Sequence, residues 1–172
     1  MADDVQRLAL VLREVEDFVA DGGWDQPARL FALVPTGELL AREPRLVGVV
    51  AGDDADGLTP VEQEELPEYA TLEELLAGLA WPPGVVGAAL VVERVVLPAE
   101  VEDELPDDEA EALAVLADHP ARQDVRLAVA VLRDGARAST VRVRTHDASS
   151  DVLEGSDLVP GLGDALAATL EP

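Results

Sequence analysis

Four side chains in the C-terminal third of the chain could act together on a negatively charged group. Arg126 lies in an apolar run from Asp124 to Leu132, and Arg142, Arg144 and His146 alternate along a second run from Ala136 to His146. Arg133-Asp134-Gly135 joins the two runs, and Asp-Gly between apolar stretches is a strong hairpin signal. Two registers fit. A two-residue turn places Val125, Leu127, Val129 and Val131 on the face of Arg142 and Arg144. A three-residue loop, with Gly135 left-handed in a bulge, places them beside Val141 and Val143. The second register separates apolar from charged side chains. It predicts Arg126, Arg142, Arg144 and His146 on one face, with Arg126 almost opposite Arg142. Like charges facing each other across a strand pair are unfavourable unless something neutralises them. Arginine forks bind carboxylate and phosphate bidentately, so this face reads as a site for a small anionic ligand or an acidic partner segment, guanidiniums outward. The plainer reading is a solvent-facing strand whose arginines pair with the chain's own acids.

Other residues invite chemistry and withstand less scrutiny. Gly52-Asp53-Asp54-Ala55-Asp56-Gly57 has the look of a calcium loop, but with Gly57 at the turn position the first ligand position is Gly52 and the closing one is Gln63. Gly161-Leu162-Gly163-Asp164 lacks the third glycine of a dinucleotide fingerprint and follows no clear strand. His119 and His146 have no partner at metal-ligand spacing, and without cysteine a structural zinc site has no donor set. Ser156 lies in Glu154-Gly155-Ser156-Asp157, which is not a nucleophile elbow. The sequence therefore assigns no catalytic residue, no metal and no cofactor. Trp24, in Trp24-Asp25-Gln26-Pro27, either lines a ligand or partner site or plugs the core where a helix meets a strand, and the same two readings apply to Trp81 before Pro82-Pro83.

The composition narrows the partners. The 172 residues include 36 acids and 12 basic residues, all arginine, for a net charge of −24. Lysine, isoleucine, asparagine and cysteine are absent. The charge repels nucleic acid and anionic lipid at long range. The lack of cysteine fits a reducing cytoplasm. Met1-Ala2-Asp3-Asp4 puts acid where a signal peptide needs positive charge. The uncharged stretch from Leu75 to Val92 is broken by Pro82-Pro83, so it is not a membrane span.

The elements that would position these residues follow from periodicity. Leu8, Val11, Leu12, Val15, Phe18 and Val19 give an apolar stripe on a helix from Asp3 to Asp21, stopped by Gly22-Gly23. Strands are expected over Arg29 to Val34, Leu46 to Ala51 and Val85 to Leu97, in addition to the hairpin. The Val85 to Leu97 strand is apolar on both sides around Ala88 to Val92, so both of its faces should be covered there. Thr36 to Ala41 reads as a helical turn. Thr59-Pro60-Val61-Glu62 and Thr71-Leu72-Glu73-Glu74 each read as the capped start of a helix. Seven of ten residues from Glu102 to Glu111 are acidic, and a helix follows from about Asp107 to Asp118. A last helix spans about Leu158 to Leu170, with Leu162, Leu166 and Leu170 on one ridge.

Several stretches resemble an uncharacterised conserved protein family of actinobacteria, the high-GC Gram-positive bacteria: Trp24 through Pro35, Leu58-Thr59-Pro60-Val61-Glu62-Gln63-Glu64, Val91-Val92-Glu93-Arg94, His119-Pro120 through Gly135, and Leu158-Val159-Pro160-Gly161-Leu162. The resemblance spans nearly the whole chain and implies no activity. The lack of residues coded by AT-rich triplets suits such a source. The expected architecture is one α+β domain over residues 1–172: an antiparallel-rich sheet of four or five strands, with helices, the first and last above all, packed mainly on one face. The element order is loosely similar to small secretion-chaperone-like domains. The expected function is a non-catalytic binding or protein-interaction module, chaperone-like in kind, using Arg126, Arg142, Arg144, His146 and Trp24. The alternative is a small-molecule hydrolase with carboxylates and His146 in a cleft.

Overall fold

A computed structural model describes residues 2–42, 57–64, 66, 68, 70–97 and 104–171. The first helix, α1 (Ala2–Asp21), leads into β1 (Arg29–Pro35), α2 (Thr36–Arg42) and β2 (Leu58–Glu62). Then come α3 (Leu72–Ala77), β3 (Gly87–Val96), α4 (Glu109–Asp118), β4 (Gln123–Leu132) and β5 (Arg137–Val143). A short 3-10 turn (Ser149–Asp151), β6 (Leu153–Gly155) and α5 (Pro160–Ala168) complete the order. The strand expected over residues 46–51 and most of the acidic loop at 52–57 lie outside the described residues.

The strands form one antiparallel sheet in the order β2-β1-β3-β4-β5-β6. The α+β class holds, with six strands rather than four or five. One extra strand is β6, only three residues long. The other is β2, which replaces the helix expected from Thr59. Its Val61 and Thr59 pair with Ala32 and Val34 along the free edge of β1. The Gln63 N–H donates to Leu30 O at 2.8 Å, and Gly57 O accepts from Thr36 N–H at 3.0 Å. These bonds put the odd-numbered residues of β2 on the ladder, so the missing N–H of Pro60 falls on the open side. A capping motif is a local preference, and an unfilled strand edge outweighed it. The second motif does cap a helix: Thr71 Oγ1 accepts from Glu74 N–H at 3.2 Å, and Glu74 accepts from Ala70 N–H at 3.1 Å.

Helices cover both faces of the sheet, not mainly one. On one side, Leu8, Val11, Leu12, Val15 and Val19 of α1 pack on Phe31, Leu33, Ala89, Val91, Ala128 and Ala130. On the other, Leu76 of α3, with Leu166 and Leu170 from α5 and its end, pack on Leu30, Leu90, Val92, Val129 and Val131. The first and last helices thus lie on opposite faces. The double-sided run in β3 demands this, because Ala88, Leu90 and Val92 point one way and Ala89 and Val91 the other. Phe18, expected on the buried stripe, is 56% exposed and lies against the Arg29 guanidinium at 5.0 Å.

The β4–β5 hairpin adopts the bulged register. Val125 pairs with Val143, Arg126 with Arg142 and Leu127 with Val141. Leu132 N–H donates to Ala136 O at 2.9 Å, and Gly135 closes the three-residue loop with φ +99. The Asp134 carboxylate accepts from Ala136 N–H at 2.9 Å, which lowers its pKa from the ordinary value. A depressed folded pKa contributes stability above the unfolded value, and that stability is lost as pH falls through the folded one. Gly135→Ala should cost about 1 kcal/mol because φ there is left-handed, lowering Tm by about 2–4 °C. Gly161→Ala, whose added methyl meets no atom within 4 Å, should instead raise Tm. Thermal denaturation of the two variants checks both signs.

Candidate functional site

Side chains alternate along β4 and β5, so Arg126 and Arg142 belong to the face that carries Ala128, Ala130, Ala136 and Ala138. That face lies under α1. Arg142 is 2% exposed and Arg126 0%. The expectation of guanidiniums turned outward is therefore corrected: α1 covers the face and brings a carboxylate to it. Glu16, also fully buried, accepts from Arg142 Nε at 2.9 Å and from Nη2 at 2.6 Å. Arg142 Nη1 donates to the Asp147 carbonyl at 2.6 Å and to its carboxylate at 3.1 Å. The Glu16 hydrogen bonds hold the Arg142 pKa well above the usual arginine range, so the group stays charged at every working pH.

Arg126 is neutralised less completely. Its Nη2 donates to the Gly23 carbonyl and lies 3.4 Å from the Glu93 carboxylate, while Nε and Nη1 have no hydrogen-bond partner among the described residues. The Trp24 ring covers the guanidinium at 4.4 Å. A desolvated contact of this type contributes about 2 kcal/mol. Glu93 also accepts the backbone N–H groups of Asp25 at 2.8 Å and Gln26 at 2.9 Å. Gln26 Nε2 donates to Val19 O and Gly23 O, so the turn after α1 is tied to both helix and sheet. Asp25 takes φ +68 within this clasp.

Arg144 is the one arginine of the expected ladder that reaches solvent, at 41% side-chain exposure. It grips both Asp25 oxygens at 3.0 and 3.2 Å and lies 3.3 Å from Asp124. The Asp25 hydrogen bonds raise its pKa above the ordinary arginine value. Its guanidinium also faces the Trp24 ring at 5.6 Å, and Trp24 Nε1 donates to Asp147 at 3.0 Å. Trp24 and the three arginines are thus brought together, but as a knot of internal contacts. His146 is not part of it. It is exposed, and its Nδ1 contacts Thr145 Oγ1 at 3.1 Å. Trp81 packs against the α5 side of the core and donates to Thr169 at 2.9 Å.

Sequence reasoning missed Glu16, Glu93, Asp147 and Arg133. Glu16 had a legible signal, because it falls four residues after Leu12 on the apolar stripe, where an acid needs a buried partner. Glu93 pairs directly with Arg126 across β3 and β4, which becomes visible only once the strand order is known. Arg133 donates to Val85 O at 2.7 Å, to Trp81 O and Pro82 O at 3.3 Å, and to Leu170 O, fastening the end of α5 to the sheet.

Cavities open elsewhere. One of about 250 Å³ lies between α1, β5 and β6. Two of about 230 and 360 Å³ lie between α3 and α5 and share Glu73, Leu76 and Ala165. Neither His146 nor any arginine of the knot lines any of the three.

Glu93→Ala should cost about 3 kcal/mol, because it strips the buried Arg126 of its carboxylate, and it frees the turn that holds Trp24. Equilibrium urea unfolding measures the loss, and a red-shifted Trp emission reports the opened ring. Arg144→Ala, which removes an exposed partner, should leave Tm nearly unchanged.

Among the described residues no helix is long and apolar enough to cross a membrane. No curated protein and no solved structure matches the chain. Residues 8–171 match the model of a family described as PPA1309-like protein. PPA1309 is a gene of the actinobacterium Propionibacterium acnes, in keeping with the actinobacterial resemblance. With nearly its full length matched, the chain belongs to the PPA1309-like protein family.

Proposed function

We propose that the protein is a non-catalytic interaction module that holds an apolar, positively charged segment of a partner protein in the groove between α3 and α5, a chaperone-like task. The observation that carries this reading is the unequal covering of the two sheet faces. On the α1 side, Val86 alone among the described residues borders the core as a partly buried apolar side chain. On the other side ten such side chains do, among them Leu66, Leu72, Leu79, Leu127, Val159 and Leu162. The helices there are six and nine residues long, too short to roof a six-stranded sheet. An apolar groove of this kind suits the apolar face of an amphipathic helix.

Charge favours a cationic occupant. A net charge of −24 steers positive segments toward the protein. Glu73 lines both cavities and has no ion-pair partner among the described residues. Arg94 lines one end of the groove, so the partner's cations belong on the Glu73 side. The same charge disfavours a second copy of the chain. A small anionic ligand at the arginine ladder loses its footing, since Arg126 and Arg142 are both buried, with Trp24 over Arg126 and Glu16 and Asp147 on Arg142. A hydrolase built on His146 and carboxylates gains no support, because His146 lines none of these cavities.

The test uses a labelled leucine-lysine amphipathic helix, followed by fluorescence anisotropy. The peptide should bind, and a leucine-glutamate helix of the same apolar pattern should not. Ala165→Arg, which fills the shared wall of the two cavities, should weaken binding at least about tenfold, equivalent to about 1.4 kcal/mol, with little change in Tm. Equal binding of the two peptides, or undiminished binding by Ala165→Arg, contradicts the proposal.

A further inference from the structure

On the α1 face of the sheet, the cavity of about 250 Å³ lies at the β5–β6 edge. Val5, Ala9 and Leu12 line it from successive turns of α1, and Ala138 and Thr140 from β5. Thr140 alternates with Ala138 on the strand face that packs under α1, so its side chain points to the cavity side. It is 3% exposed, and its Oγ1 has no hydrogen-bond partner among the described residues. A buried hydroxyl left unpaired costs about 1–3 kcal/mol, and such exceptions demand an explanation. Its neighbour Ser139 shows the usual solution, donating to Gly155 O at 3.2 Å and accepting from Leu158 N–H at 2.8 Å.

The charged residues at the rim are already matched. Arg137 pairs with Asp164 at 2.8 Å and Asp157 at 3.4 Å. Glu154 pairs with Arg13 at 3.1 Å. The site therefore presents the apolar side chains of Val5, Ala9, Leu12 and Ala138, the buried open hydroxyl of Thr140, the exposed Ser156, and no charge in need of a partner. We propose that this cavity binds a small uncharged molecule, mostly apolar, with one hydrogen-bonding atom directed at Thr140 Oγ1. A phenol or a short-chain alcohol has this chemistry. The site lies on the opposite face from the α3–α5 groove and stands independently of it.

Phenol and benzene serve as the probes, titrated against the full chain and followed by methyl NMR of Val5, Ala9, Leu12 and Ala138. Phenol should give saturable shifts confined to these methyls and should bind about five- to tenfold more tightly than benzene, the effect of one hydrogen bond. Thr140→Val, nearly the same shape, should remove that preference while keeping benzene binding. Ala9→Phe should abolish both. Absence of saturable shifts, shifts centred elsewhere, equal affinity for the two probes, or a phenol preference that survives Thr140→Val would each overturn the proposal.

Discussion

Two guanidiniums face each other beneath a helix, and the rest of the fold is arranged around that constraint. Arg126 and Arg142 are directly opposite on adjacent strands, nearly inaccessible to water. Removing two like charges from solvent costs several kcal/mol each before their mutual repulsion is counted. Glu16 descends from α1 to meet Arg142, Glu93 reaches across from β3 to Arg126, and the Trp24 ring closes over what remains. Because Glu16 must face Arg142, the rotation of α1 about its axis is set. Leu8, Val11, Leu12, Val15 and Val19 then fall onto the sheet. The buried pair acts mainly as a positioning device, since such pairs rarely add net stability over apolar packing. The turn after α1 is fixed by the same groups, through the two backbone N–H groups held by Glu93.

This arrangement moves recognition away from the arginines. Their donors serve the protein's own acids and carbonyls, with Arg126 Nε and Nη1 the exception. Apolar openings lie elsewhere: the groove between α3 and α5, and a smaller cavity at the β5–β6 edge. The two differ in kind. The groove is bordered by half-covered leucines and an acid without an ion-pair partner among the described residues. The cavity has matched charges at its rim and, among the described residues, one buried hydroxyl without a partner.

Much of the hairpin was legible in the sequence. Apolar and charged residues alternate in phase only if Gly135 bulges, and Gly135 does take a left-handed φ. Alternation says which side chains share a face, but not which face a distant helix will cover. For that reason the arginine face was expected to meet solvent. Two local signals could have corrected it: Glu16 on the apolar stripe of α1, and the double-sided run at Ala88 to Val92, which already required cover on both faces. The Thr59-Pro60 segment misled for another reason. Its residues suit a helix cap, and only the vacant edge of β1 makes them a strand. The Trp24 segment was readable as a junction plug, but not as a lid on Arg126, because its partners lie on β3, β4 and the loop after β5.

The central claim is that Arg142 is an internal structural cation neutralised by Glu16, and unfolding of Glu16→Ala in urea tests it most directly. The account predicts a loss of about 3–5 kcal/mol, insensitive to added salt, because a buried charge is left without its counter-ion. A change within about 0.5 kcal/mol, the size found for exposed ion pairs, would contradict it and return the arginine face to solvent.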